Sequence, residues 1–418
     1  AGKGVSLDIP RFSVITTHFF DQFMDQNSLW ETALSDLSDE RMAHHFQAAE
    51  LPADLTGDLW ALVSNIHTPL AIRSSSLLED SLDTPFAGIY ATKMIPNNQP
   101  DAESRFEKLV EAIKYVYSST FFRGAKDYAA ATGVSIESEK MAVIIQEVVG
   151  LLHNKRYYPD VSGVIRSYNY YPFGRMRAEE GVVSLALGLG KTIVDGGRAW
   201  SFSPAHPGID PPFNSTGDLL KSTQTEFWAV DMTGKDTYDP LKEEEYLCSL
   251  SLREAEYDNV LSPLASTYDG LSDRVYPGTG RQGPRILNFA PMLKFNTPPV
   301  NSVIKKIIPL CEESAGGMVE IEFACTIDRA TTSLRFSILQ VRRMAGARKE
   351  SDLIPDITSS GAVLLSSDRV LGSGLRKDIS DVVYVKPDSF DFSKTTEIAA
   401  KLENVNARLI AESRPYVL

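Results

Sequence analysis

A chain of 418 residues, 43% of them hydrophobic, can bury a large core and suggests two or three domains or subdomains. Its 42 Lys and Arg against 55 Asp and Glu leave a net charge of −13, which argues against nucleic acid as a partner while leaving room for local basic pockets that hold phosphate. Cys248, Cys311 and Cys325 are odd in number with no Cys-x-x-Cys pair, no apolar run approaches the ~18 residues of a membrane span, and the N-terminal Ala-Gly-Lys-Gly lacks a signal sequence, so the chain reads as soluble and cytoplasmic, without disulfides, zinc or a membrane partner.

The first hundred residues read as helical with one strand-like excursion. Residues Phe12 to Thr16 are β-branched and apolar, Thr17 is placed to cap the next helix, and His18 to Gln26 and Leu29 to Leu37 carry helical spacing. A further helix is predicted from Gly57 to Val63, then a strand from Leu70 to Arg73. Ser74 to Phe86 is too rich in Ser, Asp and Pro for either element and reads as a loop suited to a ligand. Ser104 to Ser118 is an amphipathic helix by its spacing of Phe106, Leu109, Val110, Ile113 and Val116.

The middle third is β-rich. Met141 to Val149, Gly163 to Tyr168, Gly181 to Leu187 and Trp200 to Phe202 are predicted strands. Glu243 to Leu252 reads as a helix whose first turn carries Glu243 to Glu245, where the macrodipole favours negative charge. Ser266 to Gly283 is turn-rich, Val300 to Leu310 is helical, and Ala315-Gly316-Gly317 turns the chain into the Glu320 strand. Beyond residue 342 the chain offers strand-like Gly361 to Leu365 and Asp381 to Val385 and a helix from Ser393 to Leu402.

Two late segments carry the chemistry. In an extended strand residues i and i+2 share a face, so Glu320 and Glu322 lie together in Met318 to Phe323, as do Gln340 and Arg342 in Phe336 to Arg342. Adjacent carboxylates repel unless a cation intervenes, Mg²⁺ prefers such oxygen ligands together with phosphates, and guanidinium suits phosphate oxygens. A solvated hairpin with Glu and Arg paired across the strands satisfies the same spacing. Two other motifs fail on context. Gly188-Leu189-Gly190-Lys191-Thr192 lacks the earlier glycine of a Walker loop, since Leu185 stands there. Gly278 to Gly283 matches Gly-x-Gly-x-x-Gly but runs into Pro284 and a strand instead of a helix.

Far upstream, Ala71-Ile72-Arg73-Ser74-Ser75-Ser76-Leu77-Leu78-Glu79-Asp80 and Asp83 to Tyr90 resemble the Arg-Ser-Ser, Glu-Asp and Phe-Ala-Gly signature of the nucleotide-binding domain of the phosphoenolpyruvate synthase and pyruvate phosphate dikinase family. Met141 to Val149 looks like that family's hinge strand, Ser162-Gly163-Val164 like its Ser-Gly-Val step, Gly188-Leu189-Gly190 like its Gly-Leu-Gly turn, and the strand pair of Glu320 and Gln340 like its acidic-x-Glu and Ile-Leu-Gln-x-Arg strands. These ordered matches cover about residues 12 to 342.

The resemblance implies an α/β (α+β) fold: a two-lobed ATP-grasp nucleotide-binding domain over residues 1–342, with a small α/β appendage at 343–418, swivelling-domain-like or truncated. It implies ATP and Mg²⁺ as cofactors. Arg73 and Arg342 would act on the polyphosphate, Glu322 and Gln340 on the metal, Glu320 on the metal or ribose, and Gln146, Glu147 and Val148 at the adenine edge. Lys3 is similar to the family's phosphate-binding lysine, although only eight residues separate it from the Phe12 strand, too few for the intervening family helix at ~1.5 Å per residue. His18, His44, His45, His67, His153 and His206 all lack the family's Thr-x-His context. The implied activity is therefore Mg-dependent phosphoryl transfer from ATP to a histidine or other acceptor outside this chain. A non-catalytic ATP-sensing module is the alternative, a ligand-free interaction domain a third reading, and a homodimer is left open.

Overall fold

The computed structural model describes residues 4–79, 88–213, 215–234, 239–344, 378–386, 394–412 and 414–417. By its contacts the chain divides into Ala1–Lys349 and Glu350–Leu418. The larger unit has two hydrophobic cores, each under its own sheet, and the fold is of the expected α+β class.

The first lobe is a four-stranded antiparallel sheet in the order Phe12–Ile15, Met141–Glu147, Leu70–Ser76, Thr92–Ile95. Helices Thr17–Gln26, Asp39–Ala48, Ala53–Asn65 and Ala102–Ser119 accompany it. The last of these starts where the Asp101 side chain accepts from the Ser104 amide at 2.7 Å, and buries Leu109, Ala112, Ile113 and Val116 at helical spacing. Phe20, Phe23, Phe46, Tyr117 and Phe121 form the centre of this core, each fully buried or nearly so and each contributing on the order of 1.5 to 3 kcal/mol by leaving water.

A six-stranded sheet organises the second lobe, in the order Val5–Asp8, Ser333–Arg343, Val319–Asp328, Val161–Arg166, Val182–Ala186, Trp200–Phe202. Only the Val5–Asp8 pairing is parallel. A second sheet runs Leu247–Ser251, Glu226–Asp231, Arg156–Tyr158, Leu151–His153. Phe323 and Phe336 stack at 4.5 Å between ring centres in this core. Since Val5–Asp8 joins the second lobe and Phe12–Ile15 the first, the chain bridges them at once, and Met141–Glu147 leads back to the second through Leu151–His153.

Several expectations are corrected or refined. The strand from Leu70 does not stop at Arg73: Ser74, Ser75 and Ser76 continue it, paired with Val143, Ala142 and Met141, because a neighbouring strand with free backbone groups outweighs the turn propensity of serine. No helix spans Glu243 to Leu252. Turns give way to strand Leu247–Ser251, which pairs with the edge of Glu226–Asp231, and a helix begins only at Leu252. Helix Val300–Ala315 runs past Cys311, with Pro309 inside it, to a left-handed Gly316. The turn-rich 266–283 region holds a hairpin, Ser266–Asp269 with Arg274–Pro277.

The smaller unit contains helix Thr395–Ala411 and a short parallel pair, Asp381–Val382 with Tyr416–Val417. The predicted strand from Gly361 to Leu365 lies outside the described residues.

Candidate nucleotide site

Strands Val319–Asp328 and Ser333–Arg343 place Glu320 opposite Arg342 and Glu322 opposite Gln340, and the register then shifts between Glu322 and Phe323. This bulge leaves Leu339 unopposed. It also puts Ile338, partner of Phe323, on the core side while Gln340 stays with Glu322 on the other, although the two are i and i+2. A single irregularity thus turns a core-facing strand into a polar one. The freed Leu339 carbonyl accepts from Gln146 Nε2 at 3.3 Å, a bond between the two lobes.

Arg73 reaches this pair from the first lobe. Its Nη2 lies 2.7 Å from Glu322 Oε2 and 2.6 Å from Gln340 Oε1, residues 249 and 267 positions away. Its Nη1 donates to Gln146 Oε1 at 3.4 Å. Arg342 Nη2 donates to the other Glu322 oxygen at 3.1 Å, and its Nε stands 3.2 Å from Glu320. Nη1 of Arg342 is buried with no hydrogen-bond partner among the described residues, a donor suited to an oxyanion. Glu320 is held between Arg342 and Arg166, with Arg166 Nε at 2.6 Å. It does not line the cavity.

The cavity itself, about 270 Å³, lies between the lobes and takes Arg73, Gln146, Glu322, Gln340 and Arg342 into its wall. Ala71, Met94, Val148, Leu189 and Leu247 supply apolar wall, as a flat aromatic base requires. At the hinge, the Glu147 amide donates to the Arg11 carbonyl at 3.0 Å and the Val148 amide to that of Pro69 at 2.9 Å. The Glu147 carboxylate pairs with Arg11 and accepts from Thr68 at 2.9 Å. Lys3 and residues 80–87 of the upstream signature lie outside the described residues, whereas Glu79 lines the cavity.

Lys191 and Glu243 are among the polar wall residues that escaped the sequence. Lys191 follows the Gly188–Gly190 turn and helix Lys191–Val194 is far too short for a Walker helix, yet its side chain enters the same cavity. Its Nζ is 3.4 Å from Glu243, 3.1 Å from Glu244 and 3.2 Å from Asp195. Burial disfavours its charge, but these carboxylates prevail and hold the ammonium above the ordinary lysine range. Burial pushes the Glu243 carboxyl up despite Lys191, while Lys191 draws that of Glu244 down against its own burial. The Gly-Leu-Gly turn hinted at Lys191; nothing local pointed to Glu243, whose surroundings are set by tertiary contacts.

A raised lysine value means a stabilising contribution that is complete below lysine's ordinary 10.5 and is lost as pH climbs through the folded value. Lys191→Met is therefore expected to melt below wild type at neutral pH, the gap narrowing above about pH 10.5. Thermal melts across that range check it, and a constant gap refutes it.

Glu322 and Gln340 set two hard oxygens side by side, the donor type Mg²⁺ selects. No three His, Cys, Asp or Glu side chains cluster around a potential metal position among the described residues. A cation here must therefore share its shell with ligand phosphate and water, which is the usual manner of Mg²⁺. The residues fit such an ion.

The family model described as pyruvate phosphate dikinase, AMP/ATP-binding domain, matches residues 2–359. Among curated proteins none matches the chain. No helix of the described residues is long and apolar enough to cross a membrane.

Proposed function

The chain belongs to the pyruvate phosphate dikinase AMP/ATP-binding domain family, and from that premise we propose that it binds Mg·ATP in the cavity between its lobes and passes a phosphoryl group to a histidine or other acceptor supplied from outside this chain. The observation that carries the reading is the Arg73 guanidinium bridging Glu322 and Gln340 from across the cleft. We take residues 1–342 as the nucleotide-binding part and 343–418 as a small appendage.

In this reading Arg73 and Arg342 exchange part of their pairing with Glu322 for phosphate oxygens, the buried Nη1 of Arg342 being already free for one. Glu322 and Gln340, relieved of Arg73, hold Mg²⁺. The bound ion would neutralise charge on the transferring group. Both arginines, largely buried, add to that neutralisation as fixed charges aimed at the transferring group. The Val149 amide supplies a donor to the adenine edge, those of Glu147 and Val148 being engaged. None of the six histidines lines the cavity, consistent with an acceptor brought from elsewhere.

ATP binding without turnover is the second reading, favoured by the pairing of both Glu322 oxygens and the Gln340 oxygen with arginines. Incubation with labelled ATP and a phosphohistidine domain of the family separates the two: AMP and phosphate signal transfer, and their absence a sensor. For either, Mg·ATP at 100 times its Kd should add about 2.7 kcal/mol of stability. A melting temperature indifferent to Mg·ATP rules out both.

A further inference from the structure

Asp239 to Leu247, the stretch leading into strand Leu247–Ser251 of the second lobe, lies against the first lobe. Leu241 packs on Ala43, Ala91 and Tyr115, and Tyr246 on the first core. Three consecutive glutamates divide between two lysines: Glu245 takes Lys93 at 2.8 Å, while Glu243 and Glu244 take Lys191. Lys93 is 1% exposed and Glu245 2%. The Lys93 ammonium also donates to the carbonyls of Pro240 at 2.8 Å and Lys242 at 2.9 Å, with the Tyr115 ring centre 5.0 Å away. A fully buried ammonium is costly to keep, and burial lowers the proton affinity of Lys93. Every acceptor it has found here belongs to this one stretch or to Tyr115.

On either side of Lys93, Thr92 and Met94 line the cavity, as do Glu243 and Leu247. Glu243, Glu244 and Asp195 outnumber Lys191, so this wall repels a polyphosphate, which the Arg73 and Arg342 wall attracts. Among the described residues, Arg73 and Arg342 form their ion pairs with Glu320 and Glu322, and Lys191 with Asp195, Glu243 and Glu244. We propose that Asp239–Leu247 is a strap that closes the nucleoside end of the cleft, and that Lys93 is the positioning residue that pins it there. The proposal rests on the nucleotide reading of the cavity and adds to it the element that selects for the nucleoside over a bare phosphate chain.

Two measurements test it on the full chain. In hydrogen exchange of the wild type, Mg·ATP is expected to protect 239–247 and strand Leu70–Ser76, and Mg with inorganic tripolyphosphate only the latter. ATP that protects the strand but leaves the strap unchanged overturns the proposal; ATP that protects neither overturns the nucleotide reading itself. In the second, Lys93→Met with Glu245→Met replaces the buried pair by apolar groups of similar size, so the melting temperature should hold or rise. Affinity for Mg·ATP should fall about tenfold or more while that for tripolyphosphate stays. Unchanged ATP affinity, or an equal loss for both ligands, contradicts the strap's role.

Discussion

Replacing Arg73 and Arg342 together by alanine is expected to lower the affinity for Mg·ATP on the order of a thousandfold, since each charge-assisted bond to phosphate contributes about 1.5 to 3 kcal/mol. Each single variant should lose on the order of tenfold to a hundredfold by the same arithmetic. The arginines act from different lobes onto one carboxylate, so their losses should not add simply: with one gone, the other is drawn more fully to Glu322 and less to the ligand. Arg342→Lys should recover only part of the loss, because an ammonium cannot occupy both the Glu322 and phosphate directions as a planar fork does. Calorimetric titration of all four variants decides the matter. A double variant that binds Mg·ATP within about threefold of wild type would remove these residues from the site.

Gly163→Ala is expected to cost about 3 kcal/mol of stability, near the top of the range for overpacking. A Cβ there would stand 2.3 Å from Phe323 Cζ and 2.4 Å from its Cε1, with Leu185 Cδ2 at 3.1 Å. The ring has nowhere to retreat: Phe323 is 1% exposed and stacked on Phe336. Gly163 and Phe323 are direct partners across the ladder, one residue beyond Glu322 at the bulge, so the strand that gives way is the one that aims the carboxylate. Denaturant unfolding and Mg·ATP affinity should fall together. Adding Phe323→Leu should restore much of both, and if it restores neither, the clash is not the cause.

How far the site was legible depends on the range of each feature. Glu320 with Glu322 and Gln340 with Arg342 could be paired from the two-residue period of a strand, and Ser162-Gly163-Val164 marked the start of another, but that Phe323 covers its glycine came only with the fold. The bulge left only a trace, the apolar doublet Ile338-Leu339 at which the alternation changes phase, and a doublet does not say where the partner strand slips; the slip reconciles a core face at Phe323 and Phe336 with a polar face at Glu322 and Gln340. Glu243 to Glu245 were misread for a similar reason. As a local run they suit a first helical turn, but a buried Lys93 and the cavity's Lys191 reward ion pairing more than the macrodipole's few tenths to about 1 kcal/mol.

From its sequence alone most of this protein's strands and helices, the acidic and basic residues sharing a face, and its membership in a nucleotide-binding family could be established, because those depend on backbone periods and on ordered motifs along the chain. Tertiary structure alone decided that Arg73 meets Glu322 and Gln340, that Lys191 joins them in one cavity and that an acidic strap lies over Lys93. Two separate cores had to pack before residues hundreds of positions apart could come within hydrogen-bonding distance, and no local pattern encodes how two such cores meet.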